Sequence, residues 1–153
     1  IMREGKLVAF GNAQSLYRHP PNRFAAEFLG RANILPASSL QSTEAGFACV
    51  RFGDTLLRGL NHHALPDGCD SLVCIRPHDL RLQSSGAVGN TLTGIVRAVQ
   101  WQGDLHSIAL EVQEQTLRLT CNPLSDPPAP GTELVVHFDP ADVTLVPENV
   151  SHG

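Results

Sequence analysis

Two stretches of this chain follow one plan, and that repetition narrows the folds open to it. In the first, Pro66-Asp67-Gly68 leads to the apolar run Leu72-Val73-Cys74-Ile75 and then to Arg76-Pro77-His78-Asp79-Leu80-Arg81-Leu82. In the second, Pro130-Gly131 leads to Val135-Val136-His137-Phe138 and then to Asp139-Pro140-Ala141-Asp142-Val143-Thr144-Leu145. With Pro77 placed on Pro140, each copy reads as a turn, an apolar strand, a Pro-x-Asp corner and a short alternating strand. Proline fixes the backbone where a strand ends, and the Asp carboxylate is placed to accept N–H bonds from its own corner.

Further candidate strands surround the repeat, at 47–52, 55–58, 71–76, 91–101, 106–112, 117–121, 133–138 and 143–146. Several alternate cleanly, with Ile108, Leu110 and Val112 on one face against Ala109 and Glu111. Many short strands punctuated by Gly, Pro and Asn predict small antiparallel barrels, which remove exposed edges by closing. Residues 83–90, small and polar, suit a flexible connection between the copies, and the proline-rich residues 122–130 suit a stiff extended loop.

The first thirty residues are of another kind. Residues 1–11 turn at Arg3-Glu4-Gly5-Lys6 and are expected to be the second half of a β-hairpin whose first strand has been cut away. Asn12 can cap a helix ended by His19-Pro20-Pro21, and Asn22 a second in which Phe24 and Phe28 stack at i, i+4 before Gly30. Helices this short do not stand alone in water. The surface that should cover Leu7, Leu16, Phe24 and Phe28 is expected to be missing, leaving the segment mobile or exchanged into a second chain.

These residues carry a resemblance. Met2-Arg3-Glu4-Gly5-Lys6-Leu7, the run Leu16-Tyr17-Arg18-His19-Pro20-Pro21-Asn22-Arg23-Phe24-Ala25-Ala26-Glu27-Phe28-Leu29-Gly30, and Ala32-Asn33-Ile34-Leu35 resemble the end of the nucleotide-binding domain of ABC importers. Asn12-Ala13-Gln14-Ser15 departs from the family's Thr-Pro-Glu-Glu but keeps a cap. Ile75-Arg76-Pro77-His78-Asp79-Leu80-Arg81-Leu82 resembles the Ile-Arg-Pro-Glu-Asp stretch of the TOBE accessory domains that follow, with His78 in place of an acid. The resemblance implies a mainly β fold: an OB-like (TOBE) antiparallel β-barrel region built from the repeated strand-corner unit, with two short N-terminal helices. It divides the chain into residues 1–33, the tail of the nucleotide-binding domain, and 34–153, the accessory β domain, with copies at about 34–85 and 91–147.

The same resemblance implies a non-catalytic region that mediates subunit dimerisation and regulates transport. Its partners would be a second copy of the same subunit, membrane permease subunits reached through the parent domain, and in some members a small ligand or regulatory protein. Its place would be cytoplasmic, peripheral on the inner membrane. ATP and magnesium would be held upstream of Ile1, with no cofactor in this chain. Ferric iron is the first solute the likeness brings forward, with polyamine, sugar, sulfate or phosphonate as alternatives.

The residues exclude other functions. No Gly-x-x-x-x-Gly-Lys-Ser/Thr run, Ser-Gly-Gly signature or apolar run ending in paired acids is present, so the chain by itself is not expected to hydrolyse ATP. A formal charge of −4 with 5% aromatic residues argues against nucleic acid as a partner. The four cysteines show no Cys-x-x-Cys spacing: Cys74 and Cys121 read as core thiols, and a zinc site built from His62, His63, Cys69 and Cys74 is not expected. Pro77-His78-Asp79 reads as a capped corner rather than a catalytic pair, because no nucleophile can be placed beside it.

No catalytic, cofactor-binding or metal residue is therefore expected. Trp101-Gln102-Gly103-Asp104 reads as a hairpin turn with a packed tryptophan. The same loop is the best candidate for a contact surface, so Trp101, Gln102 and Asp104, with His78, are the candidate partner or ligand contacts. A rival reading is a free-standing oxyanion-binding protein of paired OB-like barrels. It needs basic side chains gathered at one place, whereas Arg51, Arg58, Arg76, Arg81, Arg97 and Arg118 fall on separate strands.

Overall fold

The tight hairpins form where the backbone accepts positive φ. In the computed structural model, which describes residues 1–7, 9–82 and 89–148, β1 (Met2–Arg3) and β2 (Lys6–Leu7) are joined by Glu4 and Gly5 at φ 51° and 75°. Two positive values at the central positions give the turn whose twist matches that of paired strands. Met2 faces Leu7 and Arg3 faces Lys6, so residues 2–7 pair as a hairpin around the predicted turn.

The helices α1 (Ala13–Arg18) and α2 (Arg23–Phe28) start at the predicted caps. Asn12 Oδ1 accepts the Ser15 N–H at 2.8 Å, and Asn22 Oδ1 accepts the Ala25 N–H at 2.9 Å. Each bond satisfies one of the N–H groups that the first helical turn leaves open. The helices bury Leu16 and Ala25 against Ala9, with Ile1 and Leu29 packed around them.

The strands that follow are β3 (Asn33–Ser42), β4 (Phe47–Phe52), β5 (Thr55–Leu60), β6 (Ser71–Ile75), β7 (Asn90–Trp101), β8 (His106–Val112), β9 (Gln115–Cys121), β10 (Glu133–Phe138) and β11 (Val143–Pro147). Short 3-10 turns at Pro77–Asp79 and Pro140–Asp142 form the two corners. Most of the predicted 83–90 connection, and the last residues of the 34–153 region, lie outside the described residues.

Five strands close a barrel in the order β11-β5-β4-β3-β6. Every neighbouring pair is antiparallel except β11 with β5, which meet in parallel at Thr144 and Leu60, so the expected antiparallel barrel has one parallel seam. Seam packing is close: a Cβ on Gly59 would lie 2.6 Å from Val143 Cγ1. β6 and β11 are buried along nearly their whole length, which explains their unbroken apolar runs. Leu72, Cys74 and Val146 pack against Ala26 of α2, while alternation sends Val73, Ile75 and Leu145 to the opposite face. Covering both faces removes the polar half of the usual strand pattern.

A second, four-stranded antiparallel sheet has the order β10-β7-β8-β9. This repeats β6-β3-β4-β5 strand for strand, with a register irregularity between Ser38 and Gln41 in β3 and another between Val96 and Ala98 in β7. The copies differ from the sequence expectation at their ends. After the first corner, Arg81 exchanges backbone hydrogen bonds of 2.9 and 2.8 Å with His137 of β10, in the second sheet. After the second corner, β11 returns to β6 and β5 in the first barrel.

The compact units are accordingly Ile1–Ile75 with the segment from Pro140 onward, and Arg76–Asp139. Residues 1–33 pack in the same unit as the first barrel. The division into units follows the pairing: each post-corner strand bonds to the other copy's strands, and backbone groups go where their partners are.

Candidate functional site

The β7–β8 hairpin carries three of the four predicted contact residues. Trp101 faces His106 as the last strand pair, the Gln102 N–H donates to Leu105 O at 2.8 Å, and the Asp104 N–H to Gln102 O at 3.2 Å. Gly103 sits at φ 86°, a value that suits glycine at this turn. Trp101 itself is 69% exposed, which corrects the expectation of a packed tryptophan. The register irregularity at Val96 and Ala98 accounts for it: no residue of β7 beyond that point is buried, so the strand end leaves the core and takes the indole into solvent. Its partner His106 is buried, with Nδ1 accepting the Leu124 N–H at 2.9 Å.

His78 lies elsewhere, on the Pro77–Asp79 turn, which packs against β9. That turn is closed by backbone bonds from the Asp79 N–H to Arg76 O and from the Leu80 N–H to Pro77 O. His78 Nε2 is 3.6 Å from Asp79 Oδ1, beyond hydrogen-bond reach, and its side chain is exposed. The pair lacks the geometry of an oriented general base. Gly5-Lys6 offers no phosphate cradle either, since Gly5 occupies a hairpin turn and Lys6 a strand where a cradle needs a helix N-terminus.

The N-terminal segment bears an apolar surface. Met2, Leu7, Phe10 and Phe28 are exposed, Phe10 by 88%. Leu16, expected to lack cover, is instead buried by Ala9 and Ala25. Phe24 stacks on Phe28 with centroids 5.8 Å apart, and Arg3 lies over its ring at 5.0 Å.

A cluster that sequence reasoning did not assemble joins His19 to His62 and His63. The ring of His19 stacks on that of His62 at 4.4 Å, and His62 meets His63 edge-on at 5.3 Å. The adjacent pair at 62 and 63 was visible in the sequence, but His19 follows α1, far away along the chain. Among the described residues, no group of three or more His, Cys, Asp or Glu is arranged to hold a metal ion, and parallel stacked rings do not point nitrogens at one centre. Burial pushes the Cys121 thiol up, away from the reactive thiolate.

Residues 73–146 match the sequence profile of the TOBE domain. This chain carries a TOBE domain. The match begins within β6 and ends within β11, so it spans the second unit and the strands on either side of it.

Among relatives of this TOBE chain, the protein assigned as 2-aminoethylphosphonate import ATP-binding protein PhnT of Salmonella typhimurium is 41% identical over 95% of the chain and 40% of its own length. The spermidine/putrescine import ATP-binding protein PotA of Desulfitobacterium hafniense is 34% identical over 74% of the chain and 30% of its own length. The Fe(3+) ions import ATP-binding protein FbpC of Escherichia coli is 27% identical over 92% of the chain and 37% of its own length. The chain thus spans about 40% of the length of the first of these and is similar to regions of ABC importer ATP-binding subunits. The solved structure of the cytoplasmic molybdate-binding protein ModG superposes with a TM-score of 0.58 at 20% identity, covering 75% of this chain and 96% of that one. At that identity the likeness is one of fold, and it bears out the OB-like barrel reading. No helix among the described residues is long and apolar enough to cross a membrane.

Proposed function

We propose that this TOBE chain is the non-catalytic accessory region of the ATP-hydrolysing subunit of an ABC importer whose solute is a phosphonate of the 2-aminoethylphosphonate type. The observation that carries the reading is the 41% identity with PhnT across 95% of the chain. Against it stands 27% with the Fe(3+) importer subunit, so a phosphonate displaces ferric iron as the first choice. ATP and magnesium belong to the parent domain, and permease subunits meet that domain at the cytoplasmic face of the inner membrane. The exposed Met2, Leu7, Phe10 and Phe28 support this, since large apolar side chains left in solvent are what a covering domain would bury.

The accessory role is to brace the subunit, pair with its counterpart and regulate transport. Trp101, Gln102 and Asp104 at the hairpin tip, with His78 on the corner, are the contact residues assigned to that role. An exposed indole supplies large contact area at small entropic cost, which is why aromatic side chains anchor interfaces. Regulation through such a contact requires a ligand or partner that binds one state of the subunit better than another.

Deletion of the gene in its source bacterium tests the solute. Growth on 2-aminoethylphosphonate as sole phosphorus source is expected to be lost and growth on phosphate retained; loss of iron or polyamine uptake instead would overturn the assignment. Titration of the chain with molybdate and sulfate tests the oxyanion reading, to which saturable binding would return the chain.

A further inference from the structure

Three histidines meet where the connection between α1 and α2 lies on the first barrel. His19 caps the C-terminus of α1, and its ring lies within 16° of parallel to that of His62. His63 Nε2 is 2.9 Å from the carbonyl oxygen of buried Pro20. A carbonyl only accepts, so Nε2 carries the hydrogen and Nδ1 is the basic nitrogen. Beside this bond, Thr144 Oγ1 of β11 donates to Arg18 O at 2.9 Å. Together these contacts hold the α1–α2 connection against the barrel.

The arrangement suits neutral rings. Stacked neutral imidazoles attract, whereas two imidazolium ions at this spacing repel. His19 Nδ1 is buried with no acceptor among the described residues, so a proton added there would make an N–H that nothing satisfies. We propose that the His19–His62–His63 stack is a pH-sensitive clasp, which holds the N-terminal helical pair on the barrel at neutral pH and releases it on mild acidification.

The charged groups bearing on the rings agree in sign. Burial, and after it His62, His63 and Arg18, hold His19 below the ordinary value of 6.5. Burial likewise lowers His63; the Pro20 carbonyl opposes this in part, and His62 adds to it. His19 and His63 therefore take up protons near the ordinary value once released and resist them while clasped. The clasp is at full strength above pH 6.5 and weakens as pH falls below it, until the clasped rings are protonated as well. This inference concerns contacts within the chain and stands whether or not the importer reading holds.

Hydrogen exchange of the full chain, corrected for intrinsic rates, tests it at about pH 7.5 and about pH 5.5. Peptides covering residues 12–29 are expected to lose protection by at least about threefold at the lower pH, while β8 and β9 are unchanged. In H19Q/H62Q/H63Q, where the amide introduced by H63Q still has an N–H to donate to Pro20 O, the pH response should vanish. Equal protection at both pH values in the wild type, or a full response in the triple variant, would overturn the clasp. Should that variant fail to dock, NMR titration of the wild-type rings decides: His19 and His63 are expected to titrate below 6.5, and either one titrating at or above that value rejects the proposal.

Discussion

Gly59 marks the tightest point of the barrel seam. A methyl group there would meet Val143 Cγ1 at 2.6 Å and Val143 Cβ at 3.1 Å, distances at which neighbours must move. Gly59→Ala is expected to cost about 1–3 kcal/mol in urea unfolding. Adding Val143→Ala should cost less than the sum of the two single changes, because it makes the room the first requires. Trp101 is the opposite case. Its indole is exposed, so Trp101→Ala should leave stability within about 0.5 kcal/mol of wild type. The change is expected to appear instead as weaker self-association of the subunit in sedimentation, and an unchanged association would remove the residue from the contact surface. The sequence named this tryptophan as a contact candidate but could not display its exposure, which depends on the irregularity between Val96 and Ala98 that turns the strand end outward.

Among the elements, β4, β8 and β10 begin and end where alternation and turn residues place them. β3 was not legible. No strand is expected between the helices and residue 47, since Pro36 and the small residues 37–39 carry no alternating pattern, yet β3 pairs with β6 over Asn33–Ala37 and with β4 only from Ser38 onward. A proline is tolerated where one side of the strand has no neighbour. The β8–β9 turn shows a different misfit between sequence and backbone. Gln113 and Glu114 adopt φ 47° and 69°, values that favour Asn and Gly at such a turn. Glu114→Gly is expected to stabilise the second sheet by up to about 1 kcal/mol, since relief of the left-handed strain outweighs the entropy that glycine adds to the unfolded chain. A higher urea midpoint would show it, and a lower one would mean that Glu114 makes a contact worth more than the strain.

In the whole molecule, the exchanged closing strands could not be read in advance, because the segments after Pro77 and Pro140 have the same pattern and either suits either sheet. Their exchange predicts the result of truncation. A chain ending at Asp139 loses β11 and with it the pairings to β5 and β6. Its first barrel should unfold and release α2, while hydrogen exchange still finds β7 to β10 protected; loss of both units together would show that they are one cooperative body. The same interleaving sets an order of events during synthesis. β3 to β6 leave the ribosome before β7 to β11 but stay an open sheet, with Ile75 waiting for Val143, until every residue of the second unit has been made. The barrel therefore forms by its longest-range contact and forms after the second unit, so the slow step of maturation falls on the barrel whose first strands were made earlier, and their unpaired edges are the place where a stalled or overproduced chain will aggregate.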